Sequence, residues 1–256
     1  MVEYEVQGRV ALITLNRPEA RNAINRQVAQ EMEAAIDRLE DDPEVWVGVL
    51  RAVTVGDRPT FCSGQDLKSI GTPDGNSMTE RGGFAGLVSR ERSKPLIVAV
   101  DGLATAGGCE IVLSCDLVVA TNRSSFGLAE VKRNLIAGAG GLFRLPRAIG
   151  RNVAMQAILT GEPLTVERAY QLGLVNEVVA PDQLEATALA LAAKISDNAP
   201  LAVSASRRVV LASEHLDDDA LWKLTNDESR VLMQTEDLRE GLQAFVEKRA
   251  PQWKGR

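Results

Sequence analysis

The sequence predicts an α/β fold with a helical C-terminal region. Three observations predict it. Short apolar runs bounded by turn residues alternate with segments of helical periodicity as far as about residue 142. Several of these runs, residues 10–15 and 95–102 among them, are almost continuously apolar, as parallel strands buried on both faces must be. Beyond residue 142 the strand signal fades and helical patterns follow one another.

Taken in order, VEYEVQGRVALITLNRP reads as two strands joined at Gln7-Gly8. Val2, Tyr4 and Val6 alternate along the first, and Pro18 ends the second. Asn25 caps a helix running to about Glu40, with Val28, Met32, Ile36 and Leu39 on one stripe. A strand follows at 45–53, then the turn-rich GDRPTFCSGQDL at 56–67. Residues 71–93, rich in Gly, Ser, Thr, Asp and Glu, form either a solvated loop or a lid or cavity wall. A buried strand at 95–102 leads to a helix opening at Glu110 and another strand at 116–121. TVERAYQLGLV, QLEATALALAAKIS, LAVSASRRVVLAS and the long segment 217–248 are predicted helices. The chain thus divides near Pro200 into an α/β core, residues 1–199, and a helical region, residues 200–256. Leu221, Leu224, Val231 and Leu232 make that region too apolar to stay wet, so an oligomer is expected.

Composition narrows the function classes. The 256 residues carry a formal net charge of -6 and no dense Lys/Arg block, which argues against a nucleic-acid partner. No run approaches the ~18 apolar residues of a membrane span. The opening MVEYEVQGRV lacks a basic segment before an apolar one, so no signal peptide is expected. Three irregularly spaced cysteines, Cys62, Cys109 and Cys115, fit neither a disulfide framework nor a zinc site and point to a reducing cytoplasm. His215 is the only histidine and lies in an acidic stretch, where a solvated surface role is expected. Serine-histidine and cysteine-histidine chemistry would have to use it.

Two carboxylates stand out. Glu110 follows two glycines and opens an apolar run, and Glu130, 20 residues on, is flanked by small and apolar residues. A helix, a strand and a turn return the chain to the same end of a sheet over that separation. Two carboxylates on one apolar cavity can exchange protons with a substrate, because burial and mutual repulsion raise their pKa values. The spacing also allows a plainer role: Glu110 at a helix start for its dipole, and Glu130 on a surface turn. The glycine turns add weight to the first reading. TAGGCE turns into a helix whose leading N–H groups are free, and FCSGQD is a second such turn. N–H groups of Gly107 and Ser63 converging on one carbonyl oxygen would stabilise an enolate.

At these residues the chain resembles the crotonase, or enoyl-CoA hydratase, family. The resemblance runs through LNRPEARNAIN (15–25), FCSGQDL (61–67), GLATAGGCEIVLSCDLVVA (102–120), FGLAEVKRNLIAGAGGLFRLPRAIG (126–150), LTGEPLTVERAYQLGLVNEVV (159–179) and FVEKRAPQWKGR (245–256). It implies a crotonase-like ββα spiral core, a C-terminal helical trimerisation region, and a homotrimer or a hexamer of paired trimers. It implies an acyl-CoA thioester substrate whose coenzyme A needs no separate cofactor, and no metal. Glu110 and Glu130 match the catalytic glutamates, Ser63 and Gly107 the oxyanion N–H positions, and Gly138 a backbone position near the reacting water. Arg21 and Ala23, with Cys62, Gln65, Asp66 and Leu67, resemble contacts to the CoA moiety. Phe245 and Lys248 resemble tail residues that reach CoA, often that of a neighbouring subunit.

The chain departs from the usual hydratase pattern at Ser63, where alanine is common, at Ala106, which replaces a glycine, and at Ala129 and Ala137, where prolines are frequent. The AEVKR turn and the ending EKRAPQWKGR are also similar to carnitinyl-CoA dehydratases. Enoyl-CoA hydration is the leading expectation. A carnitinyl-type dehydratase and an enoyl-CoA isomerase are the alternatives within the family, and a non-catalytic acyl-CoA-binding or RNA-binding relative is the alternative outside enzymology.

Overall fold

The computed structural model describes residues 1–69 and 71–256. Strands β1 (Val2–Gln7) and β2 (Val10–Leu15) form the expected hairpin, with Gln7 opposite Val10. Helix α1 (Arg26–Asp41) starts where Asn25 accepts the N–H of Val28 at 3.0 Å, and it buries Val28, Met32, Ile36 and Leu39. There follow β3 (Val47–Ala52), β4 (Thr60–Cys62), the short hairpin β5 (Met78–Thr79) and β6 (Gly83–Phe84), then β7 (Leu96–Val100) and β8 (Leu103–Thr105). Helix α2 (Gly107–Ser114), β9 (Leu117–Thr121) and β10 (Ser125–Gly127) lead to α3 (Gly141–Ile149) and α4 (Arg151–Thr160). The chain continues through β11 (Leu164–Thr165), α5 (Val166–Gln171), β12 (Glu177–Val179) and α6 (Leu184–Ser196). It ends in α7 (Pro200–Ala212), α8 (Asp218–Leu232) and α9 (Glu236–Glu247).

Two sheets organise the core. The larger has the order β1-β2-β3-β7-β9-β12, parallel except for β1. The smaller has the order β11-β10-β8-β4. The strand pairs β3–β4, β7–β8 and β9–β10 each give their first member to the large sheet and their second to the small one. In the last two units a helix follows, α2 or α3, which is the ββα spiral the resemblance implied.

The continuous apolar runs are explained by burial on both faces. Ala11, Ile13 and Leu15 of β2, with Leu96, Val98 and Val100 of β7, point into the main core between the sheets and α1. Leu12, Ile97, Ala99 and Val119 point the other way, onto Ala188 and Ala192 of α6. A strand covered on both faces loses its alternation in the sequence.

Four expectations are corrected. The small sheet went unread, because strands of two or three residues are too short to show a period. Strand signal does not end at residue 142, since β12 closes the large sheet beside β9. The segment 217–248 is two helices, broken at Met233–Thr235, where Thr235 caps α9 by accepting the N–H of Leu238. Residues 82–88 are buried, with Phe84, Leu87 and Val88 in the main core, which overturns the solvated-loop reading of that stretch.

The C-terminal helices leave apolar surface uncovered. Helix α8 has no fully buried residue, and Trp222, Phe245 and Val246 are 68%, 84% and 78% exposed. Among the described residues no helix is long and apolar enough to cross a membrane.

Candidate active site

The site forms where α2 begins. Ala106 adopts φ 52°, ψ -129°, and its carbonyl accepts the N–H groups of Cys109 at 2.9 Å and Glu110 at 3.1 Å. That leaves Gly107 and Gly108 with leading N–H groups that have no intrahelical acceptor. Both positions exclude a side chain. A Cβ on Gly108 would lie 2.1 Å from the Cys62 carbonyl oxygen, and one on Gly107 would lie 2.5 Å from the Phe84 ring. The glycine pair lets α2 start directly against β4 and the buried Phe84.

Glu110, in the first turn of α2, is 3% exposed. Its Oε1 accepts the N–H of Ala139 at 2.7 Å and of Gly141 at 2.9 Å, both from the turn leading into α3. Burial pushes its carboxyl above the usual range, the Gly141 N–H opposes this, and the Glu130 charge pushes it up further. Glu130 opens a single 3-10 turn, Glu130–Arg133, and its Oε2 is buried with no hydrogen-bond partner among the described residues. Burial raises the Glu130 carboxyl as well, against a hydrogen bond from its own backbone N–H and the charge of Arg133. The buried Cys109 thiol is pushed up by desolvation and by the charges of both carboxylates. The two glutamates therefore share one low-dielectric region, one tied down and one with a free oxygen.

The second turn lies against the first. A Cβ on Gly64 would be 2.9 Å from the Gly107 nitrogen. Ile24 bridges Gln65: its N–H donates to the Gly64 carbonyl at 2.8 Å, and its carbonyl accepts from Asp66 at 2.9 Å. The role expected of Ser63 is corrected here, because its N–H donates to the Arg21 carbonyl at 3.1 Å. The next N–H along the turn that lacks an acceptor among the described residues belongs to Gln65, two residues after Ser63 and directly after Gly64, which packs against Gly107.

The structure brings Arg21 and Ala23 onto the 62–66 turn. Asp66 pairs with Arg17 at 2.8 Å, and Arg17 also donates to the Ala23 carbonyl at 2.9 Å. Arg21, Gln65 and Leu67 are exposed along this edge. Cys62 is corrected as a binding contact: it is 0% exposed, its thiol donates to the Asn22 carbonyl at 3.0 Å, and burial pushes the thiol up to about 12. Gly138 is exposed, immediately before Ala139. Phe245 and Lys248 lie at the end of α9, and among the described residues no hydrogen bond or ion pair ties them to the turns. His215 is exposed, in the turn after α7.

Sequence reasoning missed Ala139 and Gly141, which hold Glu110, and Phe84, which covers Gly107. GAGGLFR, a glycine turn before a helix, was the available signal for the first two. Two surface concavities lie away from the glutamates. One, about 470 Å³, is lined by Pro95, Asp116, Ile195, Val203 and Arg207, and the other, about 500 Å³, lies between α1 and the β5–β6 hairpin.

Comparison with known proteins agrees with this fold. The family model described as enoyl-CoA hydratase/isomerase matches residues 5–256. An (E)-benzylidenesuccinyl-CoA hydratase of Thauera aromatica is 39% identical, with 99% of each chain covered. The crystal structure of an enoyl-CoA hydratase from Mycobacterium marinum superposes with a TM-score of 0.94 at 42% identity, covering 100% of this chain and 99% of that one. A carnitinyl-CoA hydratase from Mycobacterium avium is 45% identical with a TM-score of 0.78, covering 100% and 98%. With the ββα spiral, the paired glutamates and a full-length match in agreement, the chain belongs to the enoyl-CoA hydratase/isomerase family.

Proposed function

We propose that this protein is an enoyl-CoA hydratase, adding water reversibly across the 2,3 double bond of an enoyl-CoA thioester. One observation carries the reading: Glu110 is pinned by two N–H groups, while Glu130 keeps a buried oxygen free beside it. An unpartnered buried carboxylate is costly unless a ligand or proton meets it.

A water between the carboxylates gives a proton to Glu110, and its oxygen attacks C3. The electron pair of the double bond moves onto the thioester oxygen, which the N–H groups of Gly107 and Gln65 stabilise. Glu130, whose carboxyl burial pushes above the ordinary glutamate range, delivers a proton to C2 as the enolate collapses. One water is consumed, and a proton passing from Glu110 to Glu130 resets the pair. Coenzyme A arrives with the substrate, so the chemistry asks for no further cofactor or metal.

The exposed edge of Arg21, Gln65 and Leu67 is the proposed CoA rim, with Ala23 and Asp66 supporting it and Gly138 beside the water. Helices α7–α9, residues 200–256 with the tail, are the proposed trimerisation region, supported by the exposed Trp222 and Val246. In such a trimer Phe245 and Lys248 reach a neighbour's CoA. Three unpaired cysteines support a reducing, cytoplasmic setting.

Identity of 45% to the carnitinyl-CoA hydratase favours a second reading, in which the acyl group is charged. A panel of short, long and carnitine-type enoyl-CoA thioesters tests both. Loss of the enoyl-thioester absorbance with crotonyl-CoA supports the first reading. Turnover confined to the carnitine-type substrate supports the second, and turnover of none overturns both.

A further inference from the structure

We propose that Arg144 is a positioning residue for the carboxylate pair, locking the 137–141 turn that holds Glu110 to the segment that covers Gly107. Arg144 lies in the first turns of α3, and its side chain reaches back over the preceding turn. One terminal nitrogen donates to the Ala139 carbonyl at 3.2 Å and the other to the Val88 carbonyl at 2.7 Å. The first contact closes the turn whose Ala139 and Gly141 N–H groups grip Glu110. The second reaches the buried 82–88 segment, which carries Phe84 against Gly107. One guanidinium thus spans the base side and the oxyanion side of the site.

The local sequence is shaped around it. Gly140 has φ 104°, and a Cβ there would lie 2.3 Å from the Arg144 nitrogen. The guanidinium also stands 5.3 Å from the Phe143 ring centroid. No carboxylate lies within ion-pair distance of Arg144 among the described residues. Its charge therefore remains available to the site. The charged groups facing it are Arg92, Arg147, Glu110 and Glu214, and those facing Glu110 are Glu130 and Arg144, with the Cys109 thiol beside it. Arg144 is the cation among these that draws the Glu110 carboxyl downward, against burial and Glu130. Bidentate bridging of two carbonyls is a task for a planar fork, and a lysine offers one point contact in its place.

The turnover part of this inference rests on the hydratase reading, and the titration part does not. Arg144→Met and Arg144→Lys are compared with the parent in two measurements. The first is the infrared titration of the Glu110 carboxyl, assigned by its loss in Glu110→Gln. The second is kcat and KM for crotonyl-CoA across pH. In Arg144→Met the Glu110 midpoint rises by about one pH unit, because an attracting cation is gone. The acid limb of kcat/KM moves up with it, since Glu110 must be ionised to take the proton. The loosened turn lowers kcat by about tenfold or more, with KM within about threefold.

Arg144→Lys keeps the charge, so the Glu110 midpoint stays near the parent's, while kcat still falls. Should Arg144→Met fail to fold, Arg144→Lys decides: a parental kcat overturns the proposal, and a reduced kcat at an unchanged melting temperature supports it. A folded Arg144→Met whose Glu110 titration and kcat match the parent's overturns it, and so does a lowered melting temperature with an unmoved titration. A parent that hydrates no enoyl thioester removes the hydratase reading alone. The Glu110 midpoint then still decides the role of Arg144.

Discussion

The Oε1 atom of Glu110 accepts the Ala139 N–H at 2.7 Å, joining the first turn of α2 to the turn that opens α3. Among the described residues Glu130 has no such tether on its Oε2. The two carboxylates thus differ in their surroundings, one oriented by backbone N–H groups and the other holding a buried oxygen that no group among the described residues meets.

Glu110→Gln and Glu130→Gln preserve shape and remove proton transfer. Each is expected to lower hydration about 10²- to 10⁴-fold while acyl-CoA binding persists, because the oxyanion N–H groups are backbone. The double variant should lose far less than the product of the two, since both groups act on one water. An isomerase would show one glutamate indispensable and the other nearly silent. Stopped-flow rates with binding isotherms separate these patterns, and a Glu130→Gln enzyme as fast as the parent refutes the two-carboxylate mechanism.

The raised carboxyls carry a stability signature with a definite sign. The Glu130 carboxyl holds its proton more tightly folded than unfolded, so ionising it weakens the fold as pH rises from 4.5, the ordinary glutamate value, through its raised value. Glu130→Gln lacks that penalty. Thermal melts should show it more stable than the parent at pH 7, with the difference closing toward pH 4.5 and absent below it. An equal gap at all pH values would mean the effect is packing and not ionisation.

Ala106 holds φ 52°, a positive value that an L side chain adopts only under strain. Relief of that strain exceeds the extra unfolded-state entropy that glycine brings. Ala106→Gly is expected to stabilise the protein by about 1 kcal/mol in urea melts. A loss of stability would show that the methyl group, packed near Gly64, contributes more than the strain removes.

An apolar surface that includes Trp222 at 68%, Val231 at 63%, Phe245 at 84% and Val246 at 78% exposure should be covered in solution. Light scattering at micromolar concentration is expected to return a trimer or hexamer of the 27.6 kDa chain. Phe245→Ala should raise KM for acyl-CoA by severalfold if this residue reaches a neighbouring subunit's substrate. A stable monomer, or an unchanged KM in an intact trimer, would refute that arrangement.

The sequence by itself determined what local pattern controls. Asn25 announced the start of α1, and Val28, Met32, Ile36 and Leu39 announced its buried stripe, because a cap and a helical period are written in adjacent turns. The continuous runs of β2 and β7 announced strands covered on both faces. Glu110 was legible as chemistry because the glycine turn before it opens a helix with free N–H groups, which outweighs the plainer dipole role of a carboxylate at a helix start. Tertiary structure alone decided which N–H groups are free. Ser63 and Gln65 are two residues apart in one turn, and only the long-range bond from Ser63 to Arg21 distinguishes them. The small sheet escaped for the same reason. Strands of two or three residues carry no period of their own, and Thr60–Cys62 is a strand because Leu103–Thr105 lies beside it. Nothing in the local pattern sets Arg144 apart, and only folding places the Ala139 and Val88 carbonyls at its two ends. Those partners lie 5 and 56 residues away, and no window along the chain relates a side chain to a carbonyl at the second distance.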